Sequence, residues 1–427
     1  MATAGAAVAS GRLSVVRAAD KSPNEKLNIA FVGVANKGRH NIDNLRGQNV
    51  VALCDVDANN LAAAAKDFPK ATQHRDWRKM LDAEHKHIDA VVVSTPDHSH
   101  AGPTARAITL GKHVYCEKPL THTVQEARTI ARLAAKHKVV TQMGTQIHAE
   151  SNYRRVVEII QSGAIGQVRD VYTWCNKGWS DGRFEEADKP AYLDWDLWLG
   201  PAKKRSYCKG IHPFYWRCFW EYGSGTFGDM ACHIMDLPFW ALKLRYPTSV
   251  EAKGPPIHPD GAPKWVLARY EFPARGDLPA VNLHWSDGGK HHDLVNKIKD
   301  HEGKPLGAWD PAALFVGDKG MLAADYGRHQ LLPKKEFEGF KPPAKSIPDS
   351  VGHWNEWVQA CKTGKPTTCN FDYSGALTET VLLGVVAYRS GEKLQWDAKK
   401  LRVTNTTKAE EFLKQEYRKG WEVVGLS

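Results

Sequence analysis

From Leu27 to about Gln146 the chain alternates short apolar runs with amphipathic stretches. The runs "LNIAFVG", "NVVALCDVD", "HIDAVVVSTP", "HVYCEKP" and "VVTQMG" are apolar without a break, the pattern of strands buried on both faces. The stretches "RHNIDNLRG", "LAAAAKDF", "PTARAITLGK" and "THTVQEARTIARLAAKHK" read as helices, with Gly47 and Gly111 as stops. In the last of these Thr123 and Glu126 fit a capping box, and Ala127, Ile130, Ala131 and Ala134 share one face. Strand and helix in repetition predict a doubly wound parallel sheet over residues 25–148.

After Ser151 the texture changes. One more helix is predicted in "YRRVVEIIQSGAIG". Longer β-rich segments follow, "QVRDVYTWC", "KWVLARYEF", "AVNLHWS" and "AALFVGDKGMLAAD", with Pro, Gly and Trp between them. They predict a second α/β domain, residues 149–427, on a large, mainly antiparallel open sheet. "GHWNEWVQACKTG" and "YSGALTETVLLGVVAYRSG" predict two helices that close the chain.

The formal net charge is +10, but Lys and Arg are spread without a block or stripe. That pattern is a solvated basic surface and excludes a nucleic-acid partner from the leading readings. No apolar run reaches the roughly 18 residues of a membrane-spanning helix. The eight cysteines form no C-x-x-C pair, so buried thiols are expected and no metal site. The start, "MATAGAAVASGRLSVVRAAD", has an apolar stretch and a small-residue zone near Ala18-Ala19 but no basic leader. It reads as a secretory-signal remnant, with a disordered start as the alternative, so residues 1–24 are set aside.

Gly33-Val34-Ala35-Asn36-Lys37-Gly38 follows the first strand and opens a helix, with the spacing of the dinucleotide fingerprint. Ala35 departs from it at the second glycine position. Asp55 ends the second strand, where a carboxylate accepts hydrogen bonds from ribose hydroxyls. No Arg follows it directly, which favours NAD over NADP. "STPDHSH" lies at the carboxyl end of the next strand, so Ser94, Thr95, Pro96 and His100 are expected beside the cofactor, and His98 in a structural role. Glu117, Lys118 and Gln146, at two further strand ends, complete the expected cofactor set.

Asp229 and His233 are four apart and share a helical face, with Asp236 one turn on. Spacing alone favours a surface pair or half a metal site over a catalytic pair. "GKHVYCEKPL", with "TPDHSH" upstream and "GTFGDMACHIMD" downstream, resembles the Gfo/Idh/MocA oxidoreductase family over nearly the whole chain. The resemblance implies a Rossmann domain, a second α/β domain whose open sheet forms a dimer or tetramer, and a cis Lys118-Pro119 bond. It also implies hydride transfer between a nicotinamide and a sugar or polyol hydroxyl, with Lys118, Asp229 and His233 catalytic. In chemical terms His233 is a base for the hydroxyl proton, Asp229 orients, and Lys118 stabilises a developing alkoxide. "DWDLWLGPA" and "HPFYWRCFWEYGSG" resemble an exported, twin-arginine branch. A periplasmic or otherwise exported enzyme with tightly held, recycled cofactor is therefore expected, a cytoplasmic one being the alternative.

Trp179, Trp216 and Trp220 offer faces on which a sugar can stack, whereas Trp195 and Trp198 read as core. Trp216 and Arg217, just before the catalytic helix, are expected at the substrate, with Lys118, Asp229 and His233, and Arg154 as a further candidate. A small carbohydrate or polyol is the expected partner. The competing enzymatic reading is an NAD-dependent glycosidase that oxidises C3 transiently and eliminates, but such relatives lose the lysine that is present here. A non-catalytic sugar or NAD sensor is disfavoured by the intact Lys118/Asp229/His233 set.

Overall fold

Residues 25–426 are described by the computed structural model, and the expectation for residues 1–24 lies outside the described residues. The first sheet contains β1 (Asn28–Val32), β2 (Asn49–Cys54), β3 (Thr72–His74), β4 (Ala90–Val93), β5 (His113–Cys116) and β6 (Thr141–Met143). All run parallel, in the order β3-β2-β1-β4-β5-β6. Helices α1 (Lys37–Leu45), α2 (Ala58–Asp67), α3 (Trp77–Glu84), α4 (Ala101–Thr109) and α5 (Val124–His137) connect them.

Both sheet faces are covered, which is why the strands are apolar throughout. Ile29, Phe31, Leu53 and Val92 pack on one face against Ile42 and Leu45 of α1. Ala30, Val32, Val91 and Val114 pack on the other against Met80, Ala105 and Ile130. The capping box of α5 is present: Glu126 N–H donates to Thr123 Oγ1 at 3.3 Å and Thr123 N–H to Glu126 Oε2 at 3.0 Å. Sequence reading missed β3 and α3. β3 is a three-residue edge strand, "TQH", with no apolar run to mark it, and α3 starts after Asp76, which caps it by accepting from Arg78 N–H. The strand read as third is therefore fourth in the chain.

The second domain opens with α6 (Ser151–Gln161) and builds a nine-stranded sheet from β7 (Val168–Cys175), β8 (Ser249–Lys253), β9 (Leu267–Phe272), β10 (Val281–Asp287), β11 (Ala312–Gly317), β12 (Met321–Ala324), β13 (His329–Leu332), β14 (Leu394–Asp397) and β15 (Arg402–Val403). The order is β13-β12-β11-β7-β10-β9-β8-β14-β15. β7 and β10 run parallel, and the remaining neighbours are antiparallel. Its further helices are α7 (Trp195–Leu199), α8 (Gly225–Ile234), α9 (Asp236–Ala241), α10 (Asp293–Lys297), α11 (His353–Thr363), α12 (Phe371–Ser390) and α13 (Glu410–Leu413). β14 and β15 follow α12, so that helix does not close the fold as expected. They are short, four and two residues, with β15 at the sheet edge, and too brief to carry a periodic signal.

Two late helices tie the domains together. α11 returns to the first sheet, where Trp357, Val358 and Cys361 join the core of Ile29 and Phe31. α12 is buried almost from end to end and packs on α5, α8 and β8, so it shows no solvent-facing polar stripe along most of its length. Across the α5–α12 contact Arg128 makes a two-pronged pair with Glu379, Nε to Oε2 at 2.9 Å and Nη2 to Oε1 at 2.7 Å. Trp396 Nε1 donates to the same carboxylate at 3.1 Å. Arg128→Ala strands the buried Glu379 charge. The unfolding free energy in urea, followed by tryptophan fluorescence, is expected to fall by about 3–5 kcal/mol, with a smaller loss in the double variant Arg128→Met/Glu379→Met.

Candidate active site

The carboxyl ends of β1, β2, β4 and β5 open into one cleft of about 570 Å³, closed from the far side by residues of the second domain. At its floor the chain leaves β1 through Gly33, whose φ of 84° is left-handed and whose added Cβ would lie 2.6 Å from Ser94 O. A Cβ on Gly38 would lie 2.0 Å from Gly33 O. Only glycine at both positions lets α1 start this close to the strand end. Ala35, Asn36 and Lys37 line the cleft. Val34 and Gly38 do not line it: they build the turn, with Val34 N–H donating to Asp55 Oδ2 at 3.0 Å. Asp55 Oδ1 accepts from Asp57 N–H at 2.9 Å, and the carboxylate borders the cleft at the end of β2. Burial raises its pKa, and the two backbone bonds oppose that rise.

Ser94, Thr95, Pro96, Asp97 and His100 come from the end of β4. The His100 ring lies 2.8 Å from both Pro119 O and Thr95 O, so it ties the β4 and β5 loops together. Burial pushes its pKa down to about 4. His98 is buried with Nε2 3.0 Å from Trp198 O, the structural role expected of it. Glu117, at the end of β5, is buried. Its Oε1 accepts from Asn41 Nδ2 at 2.9 Å and Gln146 Nε2 at 3.2 Å, while Oε2 has no partner. The Lys118-Pro119 bond is cis.

Beyond that bond Lys118 reaches α8. Its Nζ donates to Asp229 Oδ1 at 2.7 Å and also to the Asp229 carbonyl. Arg217 Nε donates to the same Oδ1 at 3.2 Å. Lys177 Nζ and Trp179 Nε1 each donate to Oδ2 at 2.8 Å. Burial raises the Asp229 pKa, but the three cations outweigh it and hold the carboxyl far below the usual range. Burial also works against the Lys118 charge, and Asp229 more than restores it. His233, one turn along α8, faces the cleft half-buried, with Nδ1 buried and unpartnered. Burial and then Lys118 drive its pKa well below normal, so the ring is neutral at neutral pH. Asp97 is buried in the same cleft, and burial pushes its carboxyl up to about 7.

The structure therefore gathers Gly33, Ala35, Asn36, Lys37, Asp55, Ser94, Thr95, Pro96, His100, Glu117, Lys118, Gln146, Trp216, Arg217, Asp229 and His233 around one space. Arg154 is not among them. It is buried elsewhere, its guanidinium held by Glu356 and by Pro348 O, so it is a structural ion pair rather than a substrate contact. Asp236 also leaves the cleft, where His148 Nδ1 at 2.9 Å and Tyr373 OH at 2.7 Å engage it. Asp97, Lys177 and His212 are cleft residues that sequence reading did not single out. Asp97 stood in "TPDHSH" with a legible position. Lys177 and His212 lie in irregular chain, where no period announces which way a side chain points. All eight cysteines are buried and unpaired, and the described residues hold no cluster with the makings of a metal site.

Residues 27–145 match the model of an oxidoreductase family, Gfo/Idh/MocA, described as its NAD-binding Rossmann fold, and residues 154–278 match the family's C-terminal alpha/beta domain. Levoglucosan dehydrogenase of Pseudarthrobacter phenanthrenivorans is 30% identical over 191 residues, 43% of this chain and 40% of that protein. Inositol 2-dehydrogenase of Serratia proteamaculans is 32% identical over 147 residues, 33% of this chain and 43% of that protein. These matches span about two fifths of each relative. Among solved structures, an aldose-aldose oxidoreductase from Caulobacter crescentus complexed with glycerol aligns at TM-score 0.58 and 16% identity, over 87% of this chain and 100% of that one. GenD2 from gentamicin A biosynthesis, in complex with NAD, aligns at TM-score 0.59 and 18% identity, over 88% and 98%. Likeness at that level speaks for the fold alone. Gly38→Ala drives a methyl into the Gly33 carbonyl, so NAD affinity in equilibrium dialysis is expected to fall by at least about tenfold. Gly47→Ala, with open space around it, leaves affinity unchanged.

Proposed function

Because the chain belongs to the Gfo/Idh/MocA oxidoreductase family, we propose that it oxidises a hydroxyl-bearing carbon of a sugar or polyol, with NAD preferred over NADP. The observation that carries this reading is the Lys118–Asp229 contact in the same cleft as the glycine turn and His233. The turn fits a dinucleotide: the Gly33–Gly38 approach leaves no room for a side chain, and Asp55 stands at the end of β2 with no basic side chain paired to it among the described residues. Bound nicotinamide supplies the hydride acceptor.

The remaining work falls to this chain's residues. Lys118, fixed by Asp229, presents a charged amine that lowers the cost of alkoxide character on the substrate oxygen. Neutral His233 has a free lone pair and accepts the hydroxyl proton. Asp229 makes no bond to His233. It acts by aiming Lys118, not by supporting the imidazole. Glu117 holds Asn41 and Gln146 and shapes the wall. The proposal extends to export with retained cofactor, supported by the sequence of residues 1–24. It extends also to a homo-oligomer through the open sheet, supported by family membership and by the half-exposed Tyr172, Arg269 and Glu271 along its strands.

The test is the absorbance of reduced nicotinamide on addition of single sugars and polyols to the NAD-loaded protein. Aglycone release from a nitrophenyl glycoside without net reduction would replace this reading with the glycosidase one. Lys118→Ala is expected to cut single-turnover oxidation by at least about a hundredfold while NAD affinity changes less than about threefold. The Asp97 carboxyl loses its proton as pH rises through about 7 and then favours positive charge on its neighbours. The oxidation rate should climb through that range in the parent protein, and the limb should be absent in Asp97→Asn.

A further inference from the structure

The cleft carries more positive charge than its own architecture uses. Lys118, Lys177 and Arg217 converge on one carboxylate, Asp229, and those are the ion pairs each of the three makes among the described residues. Asp229 is satisfied by Lys118 and Trp179 Nε1 before Lys177 and Arg217 are added. Lys177 comes from irregular chain after β7, and Arg217 from the short 3-10 turn Tyr215–Cys218 ahead of α8. Lys177 is 42% exposed and Arg217 22%. Beyond Nε, the Arg217 guanidinium makes one further hydrogen bond among the described residues, Nη1 to Phe214 O at 3.4 Å, so donors remain unspent.

Arg217 is also held in place. Its guanidinium carbon lies 4.1 Å from the Trp216 ring centroid and 5.5 Å from that of Trp179. Lys177 Nζ lies 5.3 Å from the Trp179 ring. A guanidinium stacked on indole is pre-oriented, and its planar edge matches a carboxylate. Phe214, 44% exposed, lines the cleft beside it and offers a face for the C–H side of a sugar ring. The glycine turn and Lys37, at the end of β1 in the other domain, are accounted for by the dinucleotide, whereas Lys177 and Arg217 are not.

Resting on the oxidoreductase reading, we propose that the substrate is an acidic sugar, a uronic or aldonic acid, whose carboxylate docks between Lys177 and Arg217 while a hydroxyl is presented to Lys118 and His233. A second carboxylate beside Asp229 then offsets one of the two surplus cations and gives both Lys177 and Arg217 an anion that Lys118 does not hold. The docking anion enters from solvent and is not buried with the fold, so the site tolerates an exposed Lys177 in the free protein.

Matched acid and neutral pairs decide it: D-glucuronate with D-glucose, D-galacturonate with D-galactose, and D-gluconate with D-glucitol. Each is titrated into the NAD-loaded protein with tryptophan fluorescence as the binding readout. The acid of at least one pair is expected to bind about tenfold tighter or more, as for hydrogen bonds to charged groups. The preference should shrink with added salt and vanish in Lys177→Gln/Arg217→Gln, whose NAD affinity serves as the folding control. Equal binding within every pair, no binding by any acid, or a preference that survives in the double variant overturns the proposal. Nicotinamide reduction separates it from the underlying reading. Turnover of neutral sugars without acid preference sinks the acidic substrate alone, and tight acid binding with no reduction by any sugar sinks the oxidoreductase reading alone.

Discussion

The contact between Lys118 and Asp229 is the one on which the rest of the site depends. The lysine ends a strand of the first domain and the aspartate lies on α8 of the second, so the cleft is assembled only when the domains are docked. Both groups are largely withdrawn from water, and withdrawing charge is costly. The cost is offset because Asp229 is surrounded by donors on every side: two lysines, an arginine and an indole. A carboxylate in such company stays ionised at any ordinary pH, and it keeps Lys118 charged in turn. One turn further along α8 the same field acts in the opposite sense. The Lys118 charge adds to burial in keeping His233 neutral. A permanent ammonium and a neutral imidazole within one small volume form an acid–base division of labour that neither residue type has in water.

That arrangement needs a rigid frame, and α12 provides it. The helix is buried nearly along its length between α5 of the first domain, α8 and the edge of the large sheet. With α11 folded back on the first sheet, the two halves share a core instead of meeting across a wet interface. Tertiary packing of this kind sets the position of α8 relative to the end of β5. Hydrogen bonds of 2.7–2.8 Å from Lys118, Lys177 and Trp179 to a single carboxylate reflect that fixed relation.

Much of this was legible in the sequence, for physical reasons that differ from part to part. The first sheet was readable because strands buried on both faces must be apolar throughout, and because Gly33 and Gly38 are the only residues the turn admits. β3 was not, since a three-residue edge strand has no buried face to betray it. α8 was readable in outline, because Asp229 and His233 four apart fall on one face, but their partners were not. Spacing placed Asp229 and His233 on one face, whereas the cations that claim Asp229 arrive from residues 118, 177 and 217, contacts that no local spacing rule reports. Arg154 shows the converse error. A charged residue on a predicted helix invites a ligand, but Glu356 and the Pro348 carbonyl, both far along the chain, were already its partners.

The division between what periodicity reveals and what it hides follows the division of labour in the molecule. The groups to which the proposed reaction assigns the chemistry, Lys118, Asp229 and His233, are anchored at a strand end and on a helix, where position is fixed by the fold. Those the proposal assigns to substrate recognition, Lys177 and Arg217 with Phe214 beside them, lie between β7 and α8 in chain that belongs to neither a strand nor an α-helix. Such chain can be rewritten without disturbing either sheet, so specificity can change while the chemistry is conserved by packing. The surplus of cations there is consistent with this logic. A charge required by the scaffold would be paired within the scaffold, as Arg128 is with Glu379, whereas Lys177 and Arg217 share an anion that Lys118 already holds, and keep their remaining donors turned toward the cleft.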